Sequence, residues 1–167
     1  MRNLYIKQKI ISLGEKFTVV DEQQQPVYRV EGSFLKIPKR FKILDNNGNQ
    51  VGLITKKVIS VLPKFFVEVK DRPEVVTITK KLTLLRAKYQ IEAKGLAVQG
   101  NWWDMDFEVR QGRNLIAAIH KKWISWGDTY ELQITDESYE QLIVSLVIAI
   151  DRVKADESGS ANSNANS

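Results

Sequence analysis

One stretch narrows the possible folds more than any other. From Leu142 to Ile150 the chain reads LIVSLVIAI, apolar in every direction except at Ser145. Coiled as a helix over about residues 138–154, with Asp136 or Ser138 able to cap its start and Lys154 near its end, it has no polar side to turn toward water. Such a helix must be enclosed, by lipid or by the rest of the chain. At 1.5 Å per residue the run covers about 13.5 Å, whereas a membrane crossing needs about 20 apolar residues. No transmembrane span is expected, so the protein has to supply the enclosure itself.

What precedes the helix is suited to that task. Between residues 4 and 135 the dominant hydrophobic period is two, the mark of half-buried strands. FTVVD, VYRVEG, FKIL, VGLITKK, FFVEV, VVTITKKL, YQIEA, FEVR, LIAAIHKK and TYELQI are short and rich in β-branched and aromatic residues. DEQQQP, DNNGNQ and RQGRN punctuate them as turns, and Asn47-Gly48 reads as a two-residue hairpin in which both residues accept positive φ. Nothing here has the 3.6-residue period of a crossover helix, so the sheet is a meander.

The strands come twice. KKVIS at Lys56 to Ser60 is echoed by KKWIS at Lys121 to Ser125. Around the echo, Phe41-Lys-Ile-Leu aligns with Phe107-Glu-Val-Arg, Gly48 with Gly112, and FFVEV from Phe65 with YELQI from Tyr130; upstream, Tyr28-Arg-Val-Glu-Gly aligns with Tyr89-Gln-Ile-Glu-Ala. This is an internal duplication of about six strands per half, over about residues 14–71 and 75–135. The fold class that follows is mainly β: a closed twelve-stranded barrel, which hides its edges, wrapped around the apolar helix. Residues 1–156 read as one domain, and residues 157–167 as a disordered, dispensable polar tail, since SGSANSNANS has nothing to bury.

KQK followed by SLG near the start, LAVQGNWWDMDFEV in the second half and HKKWISWGDTYELQI before the apolar helix together resemble the bacterial LURP-one-related family. That family looks like a relative of the tubby C-terminal domain and the phospholipid scramblases. The resemblance covers residues 1 to about 154 and implies a twelve-stranded barrel around a central hydrophobic helix. Tubby-like relatives bind phosphoinositides and scramblases are associated with lipid movement and calcium, but neither a tubby phosphoinositide motif nor an acidic calcium loop occurs here, so no functional residue is carried over.

The chemistry therefore has to be read from the residues. The 167-residue chain has no cysteine, which excludes disulfides, thiolate nucleophiles and Cys-based zinc sites. His120 is the only histidine and no nucleophile turn accompanies it, so it reads as a rim or packing residue. Asp104, Asp106 and Glu108 alternate with Trp103, Met105 and Phe107, which in a strand would array three carboxylates on one face at about 6.5–7 Å spacing. Such spacing is too wide for a single cation without loop ligands, and a solvated outer face is the simpler reading. No glycine-rich phosphate loop is present. An enzyme is not expected, and neither is a cofactor or a metal.

Charge leaves a binding role. The formal net charge is +5. Residues 151–167 hold Arg152 and Lys154 against Asp151, Asp156 and Glu157, a net of −1 that leaves +6 on residues 1–150. Lys56, Lys57, Lys121 and Lys122 close equivalent strands, Lys39 and Arg40 add charge nearby, and Trp126 in SWGDTY is the tryptophan best placed to be exposed. Together they suggest a basic ridge for anionic membrane lipid, recognised without chemistry. A protein-interaction or scaffolding barrel without lipid binding is the alternative, with the lysines serving solubility and edge protection. Nucleic-acid binding has only charge in its favour. The start, MRNLYIKQKI, lacks the continuous apolar region of a signal peptide, so a cytoplasmic protein, peripheral to membrane where it meets lipid, is expected.

Overall fold

The structure, a computed structural model, describes residues 1–7, 16–33, 39–59, 62–70, 72, 76–82, 87–93, 95–124 and 127–164. Among these, twelve strands follow one another: β1 (Arg2–Lys7), β2 (Lys16–Val20), β3 (Pro26–Ser33), β4 (Lys39–Leu44), β5 (Gln50–Ile59), β6 (Leu62–Val69), β7 (Val76–Leu82), β8 (Ala87–Glu92), β9 (Ala97–Asn101), β10 (Asp106–Gln111), β11 (Asn114–Ile124) and β12 (Gly127–Ile134). A helix, α1 (Glu140–Asn164), ends the described chain. Each strand pairs antiparallel with its neighbours in sequence, and β1 pairs with β12 from Arg2↔Ile134 to Lys7↔Thr129. The one exception is the seam between β8 and β9, which a single bridge, Ala93↔Leu96, spans. The sheet is thus a barrel, nearly closed, as the period-two pattern and the duplication required.

The aligned segments of the repeat put β4, β5 and β6 against β10, β11 and β12, and counting back along the strand order sets β1–β6 against β7–β12. β1, which precedes the expected start of the first half near residue 14, joins the sheet through β12 and β2. The match of Tyr28-Arg-Val-Glu-Gly with Tyr89-Gln-Ile-Glu-Ala does not hold in space: β9, with β10 as its hairpin partner, stands where β3 stands beside β4. The sequence comparison slipped because β9, AVQGN, keeps little of the apolar alternation that marks β3.

The apolar helix fills the middle. Every residue from Leu142 to Val153 is buried, and Ile143, Val147 and Ile150 have no exposed surface. No described helix is long and apolar enough to cross a membrane. Inward side chains of the strands, among them Leu4, Ile6, Ile43, Ile54, Phe65, Ile78, Ile119 and Leu132, complete one continuous core. Asp136 caps the start as expected, its carboxylate accepting from the Ser138 amide, and a 3-10 turn over Glu137–Tyr139 leads into α1. The first helical residue, Glu140, is anchored by Arg2 at 3.1 Å and by the Tyr28 hydroxyl at 2.6 Å, and burial with that carboxylate pushes the Tyr28 phenol well above its usual range. At the other end α1 runs past Lys154 to Asn164, so the backbone of residues 157–164 continues the helix where composition suggested a disordered tail. Ion pairs at Asp156 and Glu157, described below, hold that end; they depend on tertiary neighbours that composition cannot reveal.

Candidate anion-binding face

Alternation along β4 to β7 sorts the basic residues into two sets. Phe41, Ile54 and Ile78 point into the core, so residues at even spacing from them face inward and the rest face out. Lys39, Lys56 and Lys80 fall on the inward side, at the end of the barrel where α1 emerges. Their contacts bear this out: Lys56 reaches Asp156 at 2.5 Å, Lys39 reaches the same carboxylate at 3.9 Å, and Lys80 meets Glu157 at 2.7 Å. Lys39 and Lys56 are direct cross-strand partners, a like-charged arrangement that costs stability unless something offsets it. Asp156 provides the offset.

The outward set is arranged differently. Arg40, Lys57 and Lys64 share the outer face of β4, β5 and β6, with Lys57 and Lys64 again direct cross-strand partners. Lys57 lies over the ring of half-buried Phe66, its ammonium 5.3 Å from the centroid, and Thr55 stands directly opposite Arg40 and Phe66. Among the described residues no carboxylate lies within ion-pair distance of Arg40, Lys57 or Lys64. Lys42, exposed at the margin, sits opposite Glu31, which pairs instead with Lys16 at 3.7 Å. Among the described residues, the same like-charged geometry is therefore neutralised on the inside of the barrel and left open on the outside.

The doubled lysines of the second half do not join this face. β11 stands six strands from β5 in the sheet order, across the barrel. Lys122 is tied to buried Glu131, which also accepts from Tyr5 at 3.2 Å and Gln133 at 3.1 Å. Lys121 follows the inward side of Ala117 and Ile119 and lies near Lys154, whose ammonium is pushed below its usual pKa by burial and by the charge of Lys121, against the opposing pull of Asp151 and Asp104. Trp126 lies outside the described residues. Of the expected site, then, Arg40 and Lys57 come together on the outer face, Lys39 and Lys56 turn inward, and Lys121 and Lys122 are elsewhere. Lys64 and Phe66 were missed, although the alternation of LPKFFVEV places both on the face opposite Phe65 and Val67.

The carboxylate array of the second half is dispersed. Met105 adopts left-handed backbone with φ 59°, ending a 3-10 turn over Trp102–Asp104 and breaking the strand that the alternation implied. Asp104 bonds Asn101, Asp106 bonds Nδ1 of His120 at 2.8 Å, and Glu108 pairs with Arg110 at 2.8 Å. Three carboxylates thus take three separate partners, and no group of potential metal ligands occurs among the described residues.

A family model described as LURP-one-related matches residues 2–151. The chain is 31% identical over 155 residues to an uncharacterised protein of Bacillus subtilis (strain 168), YxjI, covering 92% of this chain and 94% of that one. An Arabidopsis thaliana protein of known X-ray structure shares the fold with a TM-score of 0.60 and 16% identity, over 91% of this chain and 90% of the other.

Proposed function

This chain belongs to the LURP-one-related family, and from that premise we propose that it is a non-enzymatic binding module whose basic outer face receives anionic membrane lipid head groups. The observation that carries the reading is the pair of Lys57 and Lys64, directly opposed across β5 and β6, with Arg40 beside them and no carboxylate within ion-pair distance among the described residues. Opposed like charges cost a sheet stability, and a surface shaped for solubility alone intersperses the two signs. An anion placed over the face would relieve the repulsion, and each basic residue near a lipid surface is worth about 1 kcal/mol. Phe66 offers an apolar contact at the same place.

Sedimentation with vesicles tests this. The protein should bind phosphatidylcholine vesicles that contain phosphatidylserine and ignore pure phosphatidylcholine, with binding that fades as salt shortens the screening length to about 8 Å and below. Arg40→Glu with Lys57→Glu should weaken binding by about thirtyfold, at ~1 kcal/mol for each basic residue lost, with a melting temperature no lower than the wild type's, because the Lys57→Glu change replaces the repulsion with Lys64 by an attraction. Lys121→Glu, across the barrel, should bind as the wild type does. A wild-type protein that ignores anionic vesicles at low salt would sink the lipid reading and favour a protein partner for this face.

A further inference from the structure

The inward lysines carry a second inference, which rests on the reading of the outer face as an anion-binding surface. Lys39, Lys56 and Lys80 come from three strands, each one inward position beyond an apolar core residue, and form a collar where α1 leaves the barrel. The Lys56 and Lys80 side chains are only 18% and 19% exposed, and an ammonium so placed needs a counter-charge. Asp156 supplies it to Lys56 and Lys39, while Glu157 meets Lys80 through both carboxylate oxygens, at 2.9 and 2.7 Å. Beyond these two residues α1 continues as SGSANSN, mostly residues of low helix propensity. That last stretch is helical as an extension of a segment that the collar pins.

We propose that the collar is a site for a phosphate-bearing ligand which the chain's own Asp156 and Glu157 occupy, so that the ligand displaces them and frees the end of α1. Phosphate oxygens accept from the same ammonium donors as carboxylate oxygens, and a phosphate monoester brings a charge of about −2 with three such oxygens. Arg40 and Lys57, on the outer face, are chain neighbours of Lys39 and Lys56 in the collar. The phosphate of a lipid head group, a diester with two free oxygens and a charge of about −1, and a free phosphate both offer such acceptor oxygens.

The test uses the full chain carrying Asp156→Asn and Glu157→Gln, beside a charge-matched control, Glu22→Gln with Glu92→Gln, whose carboxylates lie outside the collar. Amide hydrogen exchange of residues 158–164 should be fast in the first variant and as slow as wild type in the control. Binding of inorganic pyrophosphate or of phosphatidylserine vesicles should tighten about fivefold over the control, the worth of one lysine at an anionic surface. In the wild type, adding the probe that binds should speed exchange in the same residues: pyrophosphate if the ligand is a soluble phosphate, vesicles alone if it is a head group. Unchanged exchange in the clamp variant overturns the proposal. So does a wild-type protein that binds vesicles while residues 158–164 stay protected, an outcome that leaves the outer face intact as a lipid site. Release of the helix end by pyrophosphate with no vesicle binding would instead uphold the collar and sink the lipid reading of the outer face.

Discussion

Two hairpin turns in the first half are built alike, down to single atoms. In Asp21–Gln25 the Asp21 carboxylate accepts from the amides of Gln23 and Gln25, and in Asp45–Asn49 the Asp45 carboxylate accepts from those of Asn47 and Asn49. The fourth residue of each is left-handed: Gly48 at φ 82° and Gln24 at φ 63°. Asn47, expected to share the positive φ, does not, because three residues rather than two lie between the bonded pair Asp45 and Asn49, and only Gly48 needs that conformation. Glycine adopts left-handed backbone freely, while an L side chain pays about 1–2 kcal/mol there. Gln24→Gly should therefore stabilise the protein by about 0.5–1 kcal/mol, the gain being trimmed by the greater freedom of glycine in the unfolded chain. Thermal unfolding would show it as a rise of about 1–4 °C for a chain of this size. A fall in melting temperature would mean that the exposed Gln24 side chain makes a contact worth more than the backbone strain.

At the scale of elements, the contact that sets how closely α1 lies on the barrel wall is Ser145 against Gly52. A Cβ added at Gly52 would come within 2.6 Å of the Ser145 hydroxyl and 3.1 Å of the Ile43 side chain, while that hydroxyl is itself held by the Gln141 carbonyl at 2.6 Å. In an open strand Gly→Ala gains about 0.5–1 kcal/mol; here Gly52→Ala should instead cost about 1–3 kcal/mol, as overpacked cores do. Ser145→Ala in the same chain should recover part of the loss, a coupling that a double-mutant cycle reads. If Gly52→Ala melts at or above the wild-type temperature, the helix does not press on β5. This contact also marks what the sequence could and could not reveal. All-round apolarity of LIVSLVIAI and the period of two sufficed for helix, strands and barrel, because those signals are local and repeated. Ser145 looked only like an imperfection, since its partner is remote in the chain. The same holds for the basic site: strand alternation already contained the face of Arg40, Lys57 and Lys64, but the inward turn of Lys39 and Lys56 onto Asp156, and the loss of Lys122 to Glu131, are tertiary pairings. Doubled letters in the repeat hid the fact that neighbouring lysines on a strand face opposite sides.

On the scale of the whole molecule, the two halves are not equally closed. By strand order, β8 and β9 correspond to β2 and β3 of the first half. β2 and β3 pair from Lys16↔Glu31 to Val20↔Pro26, but β8 and β9 share only the Ala93↔Leu96 bridge. The seam is also the part of the wall least supported from within: α1 rests chiefly on β6, β5 and β12, while four of the five residues of β9 are exposed. Strands with one free side and little core beneath them open at lower cost than the global unfolding free energy, whereas strands bonded on both sides and packed on the helix exchange only when the whole structure opens. Native-state hydrogen exchange should therefore give the amides of β8 and β9 protection at least about tenfold lower than those of β5, β6 and β12, a gap of ~1.4 kcal/mol or more. The protection of β5, β6 and β12 should approach the stability measured by denaturant, since these strands line the helix that both halves share. Gln24→Gly would raise protection in β5, β6 and β12 by its full stabilisation, because their amides report global unfolding, and would leave β8 and β9 unchanged, because the turn it mends stays folded when the seam opens. Equal protection along all twelve strands, or equal response of the seam to that variant, would show a barrel that is closed in solution all the way round.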